Sequence, residues 1–501
     1  MDKLRLLLAL AFALSPLLLA APARAQPGPA EACRRLVALS LPQTTIQLAE
    51  LVPVGSFAPP PPDPIIADLP AFCRVQGVVE PSITFEVWLP AVGWNGRFQG
   101  VGGGGLAGVI SYGALAGALR AGYATASTDT GHAGGMDATW AIGHPELLAD
   151  FGYRSVHEMT VKAKDITRAF YGSAPRYSYW TGCSTGGRQG LMEVQRYPDD
   201  YDGVLAGAPA IDWSSLHAAQ LWDAQATLRD PDSHITPDQL AAINEAILAK
   251  WDDLDGVGDG VIDEPRHVRP DFGALKTAAG LSDRQVTALR ALYSGPVNAA
   301  GQQIYPGLSP GGELGWQIVV GGPNPFFIGE VVYRDLVFQN RDWNWRALNF
   351  DADIGAARER FADVLDTLDP DVTPFAAHGG KLILYHGWSD PLIQPERTRR
   401  YYAAVTEALG GYDEVMDVVR LFLLPGVAHC RGGSGPDTFD GLGALVNWVE
   451  RGVAPDQIVA AHLTDGAVDR TRPLCPYPQV ARWTGEGDTN DVANFTCEEA
   501  Q

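Results

Sequence analysis

The chain is poor in basic residues. Its 501 residues include 37 Lys and Arg against 59 Asp and Glu, which gives a formal net charge of −22 at pH 7. No long basic run offsets this balance locally. Polyanions are bound mainly by clustered Lys and Arg side chains. We therefore expect neither nucleic acid nor an anionic membrane surface as a partner.

Nucleotide-binding motifs and internal repeats are also missing. No G-K-S/T follows a glycine-rich loop, and no G-x-G-x-x-G opens a helix that precedes a ribose-binding acid. We therefore expect no organic cofactor. With 46% hydrophobic and 19% charged residues, the composition is that of a globular protein with a large core, not of a disordered or coiled-coil chain.

One long apolar run, Leu6 to Ala21, follows two basic residues and precedes a small-residue triplet at 23–25. This pattern predicts a signal peptide over residues 1–25, cleaved after Ala25. A membrane anchor is the alternative, but Pro16 interrupts the run. We expect a mature protein that is secreted or periplasmic and has no membrane contact after cleavage.

Cysteine is scarce. There are six cysteines, and no pair has the C-x-x-C spacing of a zinc site. An even number of cysteines in an exported chain predicts disulfides. Three bridges are the simplest account, although the sequence leaves their connectivity open.

Strand-like runs alternate with helical stretches from about residue 85 to 209 and again from residue 381. Such alternation is typical of the α/β class, with a parallel sheet covered by helices. The pattern fades between the two segments. We therefore predict one catalytic domain formed by residues 26–210 and 378–501, and an inserted lid formed by residues 211–377.

A candidate nucleophile lies in the sequence G-C-S-T-G at 182–186, between a strand-like run and a helical one. This is the context of a G-x-S-x-G elbow, in which the glycines allow a sharp turn that exposes the serine. Ser184 is therefore the predicted nucleophile. A glycine-rich turn without catalytic function is the alternative.

A serine nucleophile needs a histidine base and an acid, which follow it along the chain at later strand ends. Asp390 ends the strand-like run KLILYHGWSD, and His429 follows the run RLFLLPG. The alternatives are a helix-capping aspartate and a structural loop histidine. Two other histidines compete: we interpret His386 as a core or supporting residue and His132 as a residue that braces its loop.

The cysteines next to these residues predict a pairing. Cys183 precedes Ser184 and Cys430 follows His429, so contact between serine and histidine would bring the two sulfurs close. Two independent buried thiols are the alternative. The remaining cysteines then form the local pairs Cys33–Cys73 and Cys475–Cys497.

Two further features complete the sequence-based site. The glycine run 102–105 follows a strand and, with the backbone N–H of Thr185, is expected to form an oxyanion hole. The acidic loop 251–265 offers several aspartates among glycines, a pattern that suits calcium. The loop departs from an EF-hand at Val257 and Arg266, and a solvated acidic turn is the alternative.

The motifs GCSTGG, HGWSDP and PGVAHC, together with WNGRF, STDTGH and YPDDYDGVLAGAPA, resemble the tannase and feruloyl esterase family. This family also includes an esterase that hydrolyses the monoester of terephthalate. The resemblance covers roughly residues 73–497 and implies an α/β-hydrolase core with a large inserted lid. It also implies a carboxylic ester hydrolase that acts on small aromatic esters.

Carried over by position, the resemblance implies a Ser184, Asp390 and His429 triad, oxyanion donors at Thr185 and Gly103, and a Cys183–Cys430 disulfide. It further implies a structural calcium ion held by the side chains of Asp252, Asp255 and Asp259 and by the backbone oxygens of Val257 and Val261. The sequence departs from similar members at Trp251 and His267, where they carry cysteines that flank the calcium loop.

A lid arginine binds the substrate carboxylate in the terephthalate monoesterase. The candidates here are Arg334, Arg341 and Arg346, which lie in a Trp-rich stretch. Surface salt bridges are the alternative for each.

We therefore predict an exported serine esterase for feruloyl-type or galloyl-type esters, as a monomer or a weak homo-oligomer. The competing hypotheses are a peptidase of the same fold and a catalytically silent, calcium-dependent binding protein.

Overall fold

The structure is a computed structural model that describes residues 28–499. The predicted signal peptide lies outside these residues. No described helix is long and apolar enough to cross a bilayer.

The described chain forms the following strands: β1 (Thr44–Val52), β2 (Gly55–Phe57), β3 (Ile66–Leu69), β4 (Phe72–Val79), β5 (Ile83–Pro90), β6 (Arg97–Val101), β7 (Ala124–Thr128), β8 (Tyr177–Cys183), β9 (Gly203–Gly207), β10 (Lys381–Gly387), β11 (Val419–Leu424), β12 (Thr438–Phe439), β13 (Ile458–Thr464), β14 (Ala467–Leu474), β15 (Gln479–Trp483) and β16 (Phe495–Glu499).

The α-helices are α1 (Pro29–Arg35), α2 (Tyr112–Arg120), α3 (Pro145–Ala149), α4 (Ser155–Tyr171), α5 (Thr185–Arg196), α6 (Trp213–Leu228), α7 (Pro237–Trp251), α8 (Phe272–Ala278), α9 (Asp283–Ser294), α10 (Gln317–Val320), α11 (Phe327–Val331), α12 (Ala352–Phe361), α13 (Thr373–Ala377), α14 (Pro395–Leu409), α15 (Tyr412–Met416) and α16 (Gly441–Arg451).

A nine-stranded sheet organises the molecule, in the order β1-β4-β5-β7-β6-β8-β9-β10-β11. The strands from β7 to β11 pair in parallel, as the sequence predicts. The edge formed by β1, β4 and β5 is antiparallel. The expectation of a parallel sheet was therefore incomplete; within this edge, β4 and β5 are joined by a short connection, which only antiparallel strands allow.

Helices cover both faces of this sheet. On one face, buried side chains of α4 and α14 share a hydrophobic cluster with β4, β5 and β8. On the other face, Leu445 and Trp448 of α16 pack with Tyr179, Ile383 and Phe422 of the central strands. Because the parallel strands are buried on both sides, they read as nearly continuous apolar runs.

The chain between β9 and β10 contains the helices α6 to α13. One of its hydrophobic clusters includes α6 together with Leu106, Phe151 and Ile393 from loops of the sheet-containing part. A second cluster, built around Ile243, Leu289 and Trp316, involves this segment itself. The inserted helices therefore pack against the loops that surround the elbow and the predicted acid.

Candidate active site

Ser184 lies at the sharp turn between β8 and α5. Its backbone has φ 64° and ψ −123°, a conformation that is strained for a residue with a side chain. A Cβ added to Gly182 would lie 2.5 Å from the backbone oxygen of Gly186. The glycines of the motif are therefore required by close backbone contacts, and the turn exposes the serine at the end of the strand.

The predicted acid and histidine are joined by a hydrogen bond. His429 Nδ1 donates to Asp390 Oδ2 at 2.7 Å, and the other carboxylate oxygen accepts from the backbone N–H groups of Leu392 and Ile393. Because Nδ1 carries the hydrogen, Nε2 of His429 is left with a lone pair. This is the tautomer that a general base requires.

Asp390 and His429 each stabilise the charged form of the other. Burial alone would raise the pKa of Asp390, but His429 and His386 hold it well below its ordinary value. Burial also tends to lower the pKa of His429, but the Asp390 carboxylate outweighs this effect and raises it. Asp390 therefore stays ionised, and its charge favours the protonated form of His429.

His386 contacts the same carboxylate oxygen of Asp390 as His429 does. It is fully buried, and its Nε2 lies 3.1 Å from Asp390 Oδ2 and 2.9 Å from the carbonyl oxygen of Ile393. A carbonyl can only accept, so Nε2 carries the hydrogen and donates to both oxygens. Nδ1 lies 2.9 Å from Thr398 Oγ1. The interpretation of His386 as a supporting residue agrees with this placement.

His132 has no contact of this kind with Asp390. Its Nε2 is 2.8 Å from the carbonyl oxygen of Leu106, and its ring stacks on Trp140 at 3.8 Å. The residue therefore braces its loop, as its position in the sequence predicts.

All three predicted disulfides are present. Cys183 and Cys430 are bonded, with their Cα atoms 6.0 Å apart across a sequence separation of 247. The local bridges join Cys33 to Cys73 and Cys475 to Cys497. The first bridge connects the turn of Ser184 directly to the loop of His429.

Ser184 and His429 line one cavity of about 360 Å³. Its wall is mostly apolar and is formed largely by residues of the inserted segment and of the loop after β10. The lining residues include Ala210, Trp213, Leu216, His217, Gln220, Phe326, Ile328, Leu392 and Ile393. Such a cavity suits an uncharged, largely apolar ligand next to the serine.

Of the two predicted oxyanion donors, Thr185 lines the cavity and is the first residue of α5, where backbone N–H groups lack helical partners. The prediction for Gly103 was wrong. Its N–H already donates to Gln189 Oε1 at 3.0 Å, and the cavity is lined instead by Gly104 and Gly105. Thr185 Oγ1 donates to the carbonyl of Gly105 at 2.6 Å, which joins the two turns.

The three candidate arginines lie elsewhere. Arg334 forms a two-pronged ion pair with the buried Asp335, and Arg341 contacts the same carboxylate. Arg346 stacks on Trp345. In the described part of the chain, the cavity lining contains no arginine, so the salt-bridge alternative describes Arg334 and Arg341.

In the acidic loop, the carboxylate of Asp252 accepts from two backbone N–H groups of the loop. Asp259 Oδ2 contacts Arg470 at 2.8 Å and Arg472 at 2.6 Å, both on β14. Asp259 Oδ1 is buried and has no hydrogen-bond partner within residues 28–499. The loop is thus tied to the C-terminal tail and retains one uncompensated oxygen.

Further oxygens crowd the same loop. Burial raises the pKa of Asp255 and, more strongly, that of Asp263. The charge of nearby Asp259 raises both pKa values further, and Asp255 also raises that of Asp263. The backbone oxygens of Val257 and Val261 accept no backbone hydrogen bond in the described chain. Crowded carboxylates and free carbonyls form the donor set that calcium prefers, so these residues fit the predicted ion.

A different group of side chains is more tightly clustered. Among residues 28–499, only His157, Glu193 and Asp200 bring potential ligand atoms from three side chains within 4.8 Å of one another. The carboxylates of the acidic loop are spread more widely and would have to move together around an ion.

Sequence reasoning missed three residues of the cavity wall that carry polar groups, Trp213, His217 and Gln220. All three lie on α6, whose residues are buried around most of its circumference. Because polar and apolar side chains of this helix are both buried, its sequence shows no apolar stripe from which a ligand-facing side could be chosen.

Known proteins with similar sequences and structures identify the family of this chain. The profile described as "Tannase and feruloyl esterase" matches residues 68–498. An uncharacterized esterase of Xanthomonas campestris pv. campestris is 37% identical over 99% of this chain and 95% of its own. A probable feruloyl esterase B-2 of Aspergillus fumigatus is 33% identical over 92% and 94%. The crystal structure of feruloyl esterase B from Aspergillus oryzae superposes with a TM-score of 0.87 at 32% identity, covering 94% of this chain and all of that one.

Proposed function

Because the chain belongs to the tannase and feruloyl esterase family and is a carboxylic ester hydrolase, we propose that it is an exported serine esterase for aromatic esters of the feruloyl or galloyl type. The observation that carries this proposal is the 2.7 Å bond from His429 Nδ1 to Asp390 Oδ2, beside a cavity that Ser184 and His429 share.

In the acylation step, Ser184 Oγ attacks the ester carbonyl carbon while His429 Nε2 takes the hydroxyl proton. The carbonyl oxygen becomes an oxyanion, which accepts hydrogen bonds from the N–H of Thr185 and from the turn of Gly104 and Gly105. His429 then returns its proton to the leaving alcohol oxygen as the bond between that oxygen and the acyl carbon breaks.

Deacylation repeats the sequence with water. His429 Nε2 removes a proton from the water as its oxygen attacks the acyl carbon, and the proton then passes to Ser184 Oγ as the acid leaves. Asp390 remains ionised throughout and holds the imidazole ring in place. The low pKa of Asp390 supports this role.

The position of the three residues supports an α/β-hydrolase core. Ser184 follows β8, Asp390 follows β10 and His429 follows β11, which gives the chain order of nucleophile, acid and histidine that this core requires. We assign residues 211–377 as the lid, because Trp213, Phe326 and Ile328 form part of the cavity wall.

Export is the part of the proposal supported by the cysteines. The described chain contains three disulfides and no free cysteine, and such bridges form in oxidising compartments. The calcium ion is assigned to Asp252, Asp255 and Asp259 with the carbonyls of Val257 and Val261. When bound, it would neutralise crowded carboxylates and order the loop.

The central test compares wild type with Ser184→Ala on methyl ferulate, methyl gallate and a peptide p-nitroanilide. Loss of ester turnover by about 10⁴-fold or more in the variant supports the esterase. The matched control is Ser173→Ala, a substitution at an exposed loop position, which should leave the rates unchanged. Turnover of the peptide but not of the esters would favour the peptidase, and no turnover by wild type would favour the silent binding protein.

A further inference from the structure

Two residues of the cavity wall each have a buried polar atom without a partner in the described part of the chain. Trp213 and His217 are four residues apart on α6, so they lie on the same side of the helix, and both line the cavity. They are 1% and 3% exposed. Within residues 28–499, Trp213 Nε1 and His217 Nε2 form no hydrogen bond, whereas buried polar groups in folded proteins are nearly always paired.

Hydrogen bonds on the other side of the imidazole define its tautomer. Gln220 Nε2 donates to the carbonyl oxygen of Leu392 at 3.2 Å, so its Oε1 faces His217 Nδ1 at 3.0 Å. An amide oxygen only accepts, and Nδ1 must therefore carry the hydrogen. His217 Nε2 is consequently an acceptor with a free lone pair.

The environment keeps this imidazole neutral. Burial lowers the pKa of His217 to about 4, so the ring is uncharged at neutral pH. The indole of Trp213 contributes the opposite function, because its Nε1–H can only donate. The rings of the two residues are in edge-to-face contact, with centroids 4.6 Å apart. Of the residues that line the cavity, His217 thus contributes one neutral acceptor and Trp213 one neutral donor.

A phenolic hydroxyl has the matching pair of functions, since its O–H donates and its oxygen accepts. We propose that His217 and Trp213 form a subsite for a ring hydroxyl of the acyl group: the hydroxyl donates to His217 Nε2, and Trp213 Nε1–H donates to the phenolic oxygen or to an adjacent ring oxygen. This inference rests on the proposed esterase function and assigns a binding subsite to the ring hydroxyl that feruloyl and galloyl groups share.

The same pair disfavours other ring substituents. A carboxylate has only lone pairs and would repel the lone pair of His217 Nε2, and the cavity lining offers no arginine to compensate. An unsubstituted or fully methoxylated ring has no hydroxyl to donate, which leaves the buried acceptor unpaired. Sites built to bind a hydroxyl discriminate strongly against analogues that lack it.

The test compares kcat/KM for methyl 4-hydroxycinnamate with kcat/KM for methyl cinnamate, two esters with the same scissile bond. In wild type we expect the hydroxylated ester to be preferred at least about 10-fold. His217→Phe and Trp213→Phe should each remove most of that preference, because they slow the hydroxylated ester more than the other.

Trp222→Phe is the matched control. Trp222 lies on the same helix, but its Nε1 donates to the carbonyl oxygen of Ala291, and it is not a lining residue. This variant should keep the wild-type preference. His217→Gln should restore part of the preference lost in His217→Phe, because its amide oxygen can accept from the hydroxyl.

Binding gives a second readout if a variant fails to fold. In Ser184→Ala protein, calorimetry should show 4-hydroxycinnamate esters binding at least about 10-fold more tightly than cinnamate esters. Equal turnover and equal binding of the two esters would overturn the subsite and leave the esterase proposal intact. No turnover of either ester by wild type would overturn both.

Discussion

The carboxylate of Asp390 accepts hydrogen bonds from two histidines through a single oxygen, Oδ2. Only His429 of the two also lines the cavity. In the proposed mechanism the histidines therefore divide their functions: His429 exchanges protons with the reacting groups, and His386 holds the acid in position.

The pH dependence of wild type follows from His429. Its pKa is raised above the ordinary value, which is about 6.5 for free histidine, and only its neutral form can take the serine proton. We expect kcat/KM for methyl ferulate to fall as the pH decreases through an apparent pKa above that ordinary value. A pH profile that stays flat well below this value would contradict the assignment of His429 as the base.

Substitution of His386 should shift this profile. In His386→Phe, Asp390 loses a donor and its negative charge acts more strongly on His429, so the apparent pKa of kcat/KM should move to higher pH. We also expect kcat to fall roughly 10-fold because the carboxylate is less firmly oriented. A purely structural residue would lower the rate without moving the pKa.

The matched variant is His386→Gln, whose amide N–H can donate to the same carboxylate oxygen. It should restore the pH profile toward wild type. If both variants keep the wild-type apparent pKa, the supporting role of His386 is wrong.

Among the elements, the elbow depends on backbone contacts that no side chain can replace. A Cβ on Gly187 would lie 2.3 Å from the backbone oxygen of Gly207. This contact packs the start of α5 directly against the end of β9. The approach is close because both positions are glycine.

We therefore expect Gly187→Ala to lower the free energy of unfolding by about 1–3 kcal/mol, measured by urea denaturation. Gly113→Ala on α2 is the matched control, because a Cβ there meets nothing within 4 Å and the residue is exposed in a helix. That substitution should stabilise the protein by about 0.5–1 kcal/mol. Similar effects of the two changes would contradict the packing argument.

The alternation of strand-like and helical stretches predicted from the sequence is present in the structure. The long helices α4 and α14 lie in the two segments for which it was predicted. The antiparallel pair of β1 and β4 was missed, because half-exposed strands such as β1 lack the continuous apolar run of the central strands. Whether a segment forms a helix or a strand follows from its local pattern, whereas its neighbours in a sheet depend on segments that are distant in the chain.

At the scale of the whole molecule, the Cys183–Cys430 bridge joins two segments 247 residues apart. A crosslink over so long a loop stabilises the folded state by up to about 5 kcal/mol in the chain-entropy model. Here it also holds the serine turn against the histidine loop.

The double substitution Cys183→Ala with Cys430→Ala should lower both Tm and kcat/KM. Cys475→Ala with Cys497→Ala is the control, since this bridge spans only 22 residues and lies in the tail. The control should lower Tm by a smaller amount and leave kcat/KM nearly unchanged. Equal losses of activity in both proteins would contradict a specific role for the first bridge in the site.

The acidic loop connects the inserted segment to the tail through Asp259 and the β14 arginines. If calcium is bound there, EDTA should lower the Tm of wild type, by an amount that reflects about 3 kcal/mol when the free ion is 100-fold above its Kd. Asp255→Asn should abolish most of this EDTA effect.

Asp253→Asn is the control for this experiment, because Asp253 is exposed in the same loop and lies outside the proposed ligand set. It should retain the EDTA effect. Elemental analysis of purified wild type should find about one calcium per chain. If the purified protein contains no calcium and EDTA leaves its Tm unchanged, the proposed calcium site is wrong.

The sequence by itself predicted the candidate residues of the reaction and the pairing of the cysteines, because the elbow, the acid and the histidine each lie in a short segment with a local signature. Tertiary structure alone decided what surrounds them. The commitment of the Gly103 N–H to Gln189, the pairing of Arg334 with Asp335 and the unpaired atoms of Trp213 and His217 all depend on contacts between segments far apart in the chain. Local patterns carry no information about which polar atom finds a partner and which is left for a ligand.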